Sequence, residues 1–352
     1  MGHNGRPTMA DVAERAGVSL STVSLTFSGA GPITDETRGK VERAAAELDY
    51  SGPSPLAKSL RSGRTHIVSV VLAARLDVLF RDGNTIRVMD GVVSGLGDLG
   101  LGVLLVPSPT GEPGERPLLE TVPMDAAIIL GIRGEDDPSL EILRKRGIPV
   151  VVMEGSPPHG AGVVTIDDER ATTELISYLV SLGHSSIGTV TLPFDLNRDT
   201  QVIPADRLGE ATWTATRHRL AAFAHAGIEP CVVVEARASM VEEGMAAGHL
   251  ALSHRSRPTA IVCQSDLLAA GVILAARELD LHVPQDVSVT GFDGLDLPWR
   301  APDDLTTIVQ DATRKGQLLA AEIGALLAGE TPEPINLPVT LRIGTTTAHV
   351  RA

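Results

Sequence analysis

Residues 8–29, TMADVAERAGVSLSTVSLTFSG, spell out two helices and the turn between them. Thr8-Met9-Ala10-Asp11 has the form of a capping box, which opens a helix. Val12 and Ala16 fall on one face of it, and Gly17 stops it and permits a tight turn. Ser19 is placed to cap a second helix, on which Val23 and Phe27, at i and i+4, are expected to turn toward the first. Thr34 would cap a third helix with an inward stripe of Val41, Ala45 and Leu48. In modules of this shape the start of the second helix enters the major groove of DNA. Leu20, Ser21 and, one turn on, Leu25 would then face base edges. The hydroxyls of Thr8, Thr22, Ser24, Ser28, Thr34 and Thr37 are placed to hold phosphates, contacts that carry no sequence information. The alternative is a generic three-helix bundle whose threonines only cap.

Outward from this module the texture changes. Residues 51–65 are punctuated by Gly52, Pro53, Pro55 and Gly63 and read as a linker. From His66 onward short apolar runs such as HIVSVVL (66–72), DAAIILG (125–131) and IPVVVME (148–154) alternate with amphipathic stretches. That alternation predicts parallel sheets covered by helices on both faces, and eight or so units fit two doubly wound lobes better than one sheet. A chain of 352 residues exceeds one compact core, in agreement with that division. A net charge of −14 by itself argues against a DNA partner, but it is unevenly spread. Up to Thr65 there are 8 basic and 7 acidic residues, so that segment is +1 and the remainder −15. Only the N-terminal module is a plausible contact for a phosphate backbone. No run is apolar enough to span a membrane and the N-terminus lacks a signal-peptide core, so a cytoplasmic protein is expected. Cys231 and Cys263 lie in strand-like apolar runs and read as buried reduced thiols.

The segments MADVAERAGVSLSTVSLTFSG, ITDETRGKVERAAAELDY and LAKSLRSGRT resemble the LacI/GalR family of bacterial transcription regulators. The resemblance continues through TIDDERA, SLGHSSIG, PTAIVCQSDLLAAGVILAARELDLHVPQDVSVTGFDG and DLTTIVQD, and is poor over residues 193–216. It implies a small all-α helix-turn-helix DNA-binding domain (1–50), a hinge (51–65) and an α/β periplasmic-binding-protein-like sensor (66–352) of two Rossmann-like lobes. One lobe would comprise 66–182 and 311–338, the other 184–309 and 340–352, with the chain crossing near Gly183, Gln310 and Val339. It also implies a homodimer on a palindromic double-stranded operator, controlled by a small-molecule effector, with no membrane partner and no cofactor or metal. In the hinge, Ser54 and Pro55 suit the start of a short helix. Leu60 matches the family's leucine wedged into the minor groove, and Ala57 the small residue beside it. The family usually has arginine where this chain has Leu25, and leucine cannot donate to a guanine. The linker between Tyr50 and Leu60 is also one residue longer than usual.

By motif, Asp168, Arg219, Asp266 and Asp293 match positions lining the effector cleft. A forked donor beside carboxylates suits a polyhydroxylated or carboxylated molecule, such as a sugar or related metabolite. Asp266 has an equal claim to cap the helix beginning at Leu267. Phe80 and Trp299 follow strand ends and would either stack on a sugar face or simply pack. Gly95 to Gly100 satisfies G-x-G-x-x-G, but it ends a helix instead of opening one, the reverse of a dinucleotide site. His218 and His225 lie on one helix without a third ligand. With no catalytic motif in view an enzyme is not expected. A solute-binding transport protein, which would share the sensor fold, is disfavoured by the module at residues 8–50.

Overall fold

The N-terminal helices form where their caps are. In the computed structural model, which describes residues 7–29, 31–52, 59, 63–72, 79–110, 114–134, 136–156, 160–195, 199–297 and 304–351, helix α1 spans Met9–Ala16. Thr8 and Asp11 make both halves of the capping box, and Gly17 ends the helix at φ +64°, a conformation that favours glycine. Ser19 accepts from the Thr22 N–H to open α2 (Leu20–Ser28), and Thr34 accepts from Thr37 to open α3 (Asp35–Glu47). The core of the module is Val12, Ala13, Val23, Val41, Ala44 and Ala45. Phe27 departs from expectation. It stays 37% exposed and sets its ring edge-on to Tyr50 at 5.5 Å, while Thr26 takes the inward position. The stripe of α2 is thus Val23 and Thr26, an i, i+3 pair, and Thr26 is admitted because its hydroxyl bonds the Thr22 carbonyl at 2.9 Å.

The chain divides into two units, Met1–Thr65 and His66–Ala352. Within the second unit, one lobe holds a six-stranded sheet ordered β12-β5-β4-β3-β1-β2 and parallel throughout. Its strands are β1 (Ile67–Leu72), β2 (Gly102–Pro107), β3 (Ala126–Leu130), β4 (Val150–Met153), β5 (Gly162–Ile166) and β12 (Ile335–Leu337). Helices α4 (Gly83–Asp98) and α10 (Ala312–Leu327) cover one face, and α5 (Pro138–Lys145) the other. The other lobe holds seven strands ordered β13-β11-β10-β9-β6-β8-β7. These are β6 (Ile187–Thr191), β7 (Gln201–Val202), β8 (Val233–Glu235), β9 (Ala260–Cys263), β10 (Ser288–Asp293), β11 (Thr306–Val309) and β13 (Thr340–Arg342). Only β7 and β13, at the two edges, run antiparallel. Helices α8 (Val241–Leu252) and α9 (Asp266–Glu278) cover one face, with α6 (Asp168–Ser181) and α7 (Thr214–His225) on the other.

The placement of α6 corrects the expected lobe boundary. Its apolar stripe, Ala171, Leu175, Ile176 and Leu179, packs with Ile187, Phe223 and Ile308 of the second lobe. The chain therefore first crosses between lobes at Asp167, where β5 gives way to α6, and not at Gly183. An apolar stripe says that a helix packs on a sheet but not on which one. The other two crossings lie at Gln310–Asp311, between β11 and α10, and at Pro338–Val339, between β12 and β13.

In each lobe two helices meet at glycines. A methyl group at Gly91 would stand 2.1 Å from the Thr313 carbonyl oxygen, and one at Gly316 2.0 Å from that of Val88. Helices α8 and α9 repeat the device at Gly244 and Gly271. Of the glycine triplet near residue 95, Gly95 abuts Ala320 in the same way and Gly100 turns the chain at φ +70°, while nothing lies within 4 Å of a methyl added at Gly97. Cys263 is buried, whereas Cys231 is only half-buried, and both are free thiols.

Candidate functional site

Two sites are built by these elements. On α2 the buried Val23 and Thr26 leave the opposite side of the helix outward, with Leu20 52% and Leu25 37% exposed beside Ser21. Leu25 packs on Gly31, where an added methyl would lie 3.3 Å from it. Of the hydroxyls expected to hold phosphates, Thr8, Thr22, Thr34 and Thr37 gather at helix N-termini, whereas Ser24 lies mid-helix and Ser28 ends α2. Ser19 Oγ lies 2.7 Å from Ser21 Oγ and 2.8 Å from Thr22 Oγ1, and Thr34 Oγ1 lies 2.9 Å from Thr37 Oγ1. Thr8 is committed to its capping box, donating to Asp11 at 2.7 Å. Ser24 is half-buried, and Ser28 bonds the Leu25 carbonyl at 3.3 Å. Capping and phosphate binding are compatible, since free N–H groups and the positive end of the helix dipole also favour an anion there. Ala57 and Leu60 lie outside the described residues. Beside them, the Gly63 N–H bonds the Ser59 carbonyl at 2.8 Å, and Gly63 has φ +68°.

The second site lies where the carboxyl ends of the parallel strands of the two lobes face one another, the usual ligand position in open α/β sheets. Arg219, on α7, is 4% exposed. Its Nε donates to Asp168 at 2.7 Å and its Nη1 to the Gln264 carbonyl at 2.5 Å, and its guanidinium sits 3.5 Å from the centroid of the Phe292 ring. Asp293 ends β10 at φ +115° and accepts from Gln310 Nε2 at 2.7 Å. Gln310 in turn accepts from Lys315 Nζ at 2.6 Å, and Lys315 pairs with Glu154 at 2.6 Å. Glu154, just past β4, is also held at positive φ, +63°. Two side chains in unfavourable backbone conformations at strand ends are characteristic of a functional cleft.

Asp168, Arg219 and Asp293 thus come together, as the motifs implied, in one buried network. Asp266 is next to it in a different role. Ser265 caps α9, and Asp266 is its first residue, accepting from the Thr307 hydroxyl at 2.5 Å and the Leu295 N–H at 2.6 Å. It fastens the loop after β10 instead of capping the helix. Phe80 does not join the network. It is 57% exposed against Leu72, Leu79, Ile86 and Met89 of the first lobe. Trp299 lies outside the described residues. Glu154, Gln310 and Lys315 were not anticipated. A signal existed for Lys315, which stands on the apolar stripe Ala312, Gly316, Leu319 of α10 and is 1% exposed.

Burial dominates the electrostatics. It pushes Asp293 well above the usual carboxylate range against the pull of Arg219, with Asp82 and Asp266 adding to the rise. It raises Asp266 to about 7 despite the Thr307 and Leu295 donors. For Glu154 burial also pushes upward, but Lys315 and Arg219 outweigh it and the net direction is down. Because Asp266 holds a proton in the folded state that the unfolded chain loses above about pH 4, it makes unfolding progressively easier as pH rises toward 7. Asp266→Asn removes this titration. The melting temperature of wild type minus that of the variant is expected to fall between pH 4 and 7 and level off above. A difference that stays constant with pH would refute the assignment.

Over 322 residues, 88% of either chain, the sequence is 33% identical to an HTH-type transcriptional regulator of Mycobacterium tuberculosis. The chain belongs to the LacI family. The signature of bacterial regulatory proteins of that family matches residues 8–52, and a periplasmic binding protein-like domain matches 176–347. Another relative is the ribose operon repressor of Escherichia coli, 30% identical over 315 residues, 88% of this chain and 90% of that one. The fold is that of the lac repressor dimer bound to operator and the anti-inducer ONPF. The TM-score to that structure is 0.78, at 24% identity, covering 98% of this chain and 100% of the other. As a LacI-family protein the chain reads DNA through residues 8–52 and carries its α/β domain as a sensor.

Proposed function

We propose that the protein is a cytoplasmic transcriptional repressor that binds a palindromic operator as a homodimer and is controlled by a small-molecule effector held between the two sensor lobes. The observation that carries this reading is the Arg219–Asp168 network, buried between lobes that follow a helix-turn-helix module in one chain. A charged network at this depth costs desolvation free energy and is a poor way to gain stability, so a polar ligand is its best explanation. Effectors rich in hydroxyls suit it, because Arg219 and Lys315 already face internal carboxylates and carbonyls, and hydroxyls can both donate and accept. Among the described residues no helix is long and apolar enough to cross a membrane. Purified protein should protect a two-fold symmetric site in a footprint, and a panel of sugars and nucleosides should contain a compound that raises the melting temperature. A protected site without a dyad would overturn the dimeric reading.

Leu25 sets the operator preference in this reading. It presents only methyl groups, which suit contact with a thymine methyl. Leu25→Arg should shift selection from random DNA toward operators with a guanine at the facing position, by about 1–3 kcal/mol for a bidentate pair. Ser24→Ala should instead weaken binding to all sequences alike. An identical consensus for wild type and Leu25→Arg would place the recognition helix elsewhere.

A further inference from the structure

The described residues between 193 and 216 build a small structure of their own. After the end of β6, Phe194, Ile203 and Ala211 form a small core on Val233. Strand β7 pairs with β8, and the Phe194 N–H bonds the buried Glu235 at 2.7 Å, so the segment is fastened to the edge of the second lobe. Thr212 and Thr216 then bond back to the carbonyls of Phe194 and Pro193, both at 2.9 Å.

The far end of the segment reaches the other lobe. The buried Thr214 donates from its hydroxyl to the Ile132 carbonyl at 3.2 Å, and its N–H points to the same oxygen at 3.5 Å. Arg133 stands over the Trp213 ring at 5.9 Å and is itself held by Asp137 and the Pro109 carbonyl. Thr214 is the first residue of α7, the helix that carries Arg219. Trp213, at the N-cap, supplies no side-chain capping bond. The first turn of α7 is therefore secured from across the cleft by a carbonyl of the first lobe, and Arg219 lies about one and a half turns further on.

We propose that residues 199–216 are a strap whose catch, Thr214 and Trp213 on Ile132 and Arg133, couples closure of the lobes to the placement of Arg219. While the catch is made, the first turn of α7 is held and Arg219 keeps its bonds to Asp168 and the Gln264 carbonyl. When the lobes part, the first turn of α7 loses its cross-lobe anchor and keeps only the bond from Thr216 to the Pro193 carbonyl of its own lobe, so Arg219 is held less firmly. Thr214 and Arg133 are positioning residues for Arg219. What the placement of Arg219 means for an effector rests on the reading of the cleft given above.

The test uses the full chain without effector, in a Trp299→Phe background that leaves Trp213 as the sole indole. In Thr214→Val the amides of residues 214–219 should exchange about fivefold faster, the factor expected for the net contribution of one hydrogen bond. Those of α9, in the same lobe, should be unchanged. Arg133→Gln, at a half-buried site, should shift Trp213 emission to the red and raise its quenching by acrylamide. Unchanged exchange and unchanged emission in both variants would overturn the strap. So would equal acceleration across the whole second lobe, the mark of a merely structural role. If Thr214→Val does not fold, the Arg133→Gln emission and exchange decide alone. Failure to find any effector would sink the proposed function while leaving these readouts intact.

Discussion

Replacing Arg219 with alanine is expected to lower the unfolding free energy of the sensor by about 3–5 kcal/mol, the range for removing one partner of a buried charge pair. The lost side chain leaves Asp168 without its donor and the Gln264 carbonyl with one fewer, in a site where both residues are almost fully buried. It also removes the cation from the face of Phe292. Denaturant unfolding of the sensor transition measures the loss. Arg219→Met combined with Asp168→Leu should recover much of it, because neither charge then remains to be solvated. If the double variant is no better than Arg219→Ala, the deficit comes from packing and not from an orphaned carboxylate. Operator binding without effector should survive to the extent that the variant is folded, and any response to effector should be lost.

An equally large effect is expected from the glycines at the helix crossings. Gly316→Ala would drive a methyl to 2.0 Å from the Val88 carbonyl, and Gly271→Ala to 2.2 Å from that of Val241. Both obstacles are backbone, so the helices themselves must separate. Each change should cost about 3 kcal/mol or more, at the upper end for overpacking. The gain in helix propensity from glycine to alanine, at most about 1 kcal/mol, does not offset this. Gly97 supplies the control. It is also helical, but nothing lies within 4 Å of its added methyl, so Gly97→Ala should be neutral or stabilising. Thermal unfolding of the three variants distinguishes a packing requirement from a general sensitivity of these helices.

What could be read from the sequence was local. Thr8, Gly17, Ser19 and Thr34 mark helix ends through bonds that span three or four residues, so the three N-terminal helices were legible from spacing alone. The alternation of strand and helix was legible for the same reason, since burial on both faces writes continuous apolar runs. The sequence does not reveal that Phe27 stays outside, because its size favours the core over Thr26, whose hydroxyl is satisfied only by the helix it sits in. The lobe of α6 is not legible in its own residues, because it is decided by contacts with Ile187, Phe223 and Ile308, further along the chain. Of the cleft, Arg219, Asp168 and Asp293 were reachable through motifs. Glu154 and Gln310 carry no pattern of their own and are identified only by meeting Lys315.

The three passages of the chain between the lobes also bear on how the protein is made. The first lobe is not complete until α10 and β12, residues 312–337, have been added to strands that begin at Ile67. Its central helix contact joins Gly91 to Gly316, so synthesis must pass Gly316 before that lobe can close. Such long-range closure is slow. The helices of residues 9–47 need nothing beyond Tyr50 for their core and can fold as soon as they emerge. During each round of translation there is therefore an interval in which a finished DNA-reading module is tethered to a sensor that does not yet exist. A chain interrupted in that interval would carry the module with no means of regulating it.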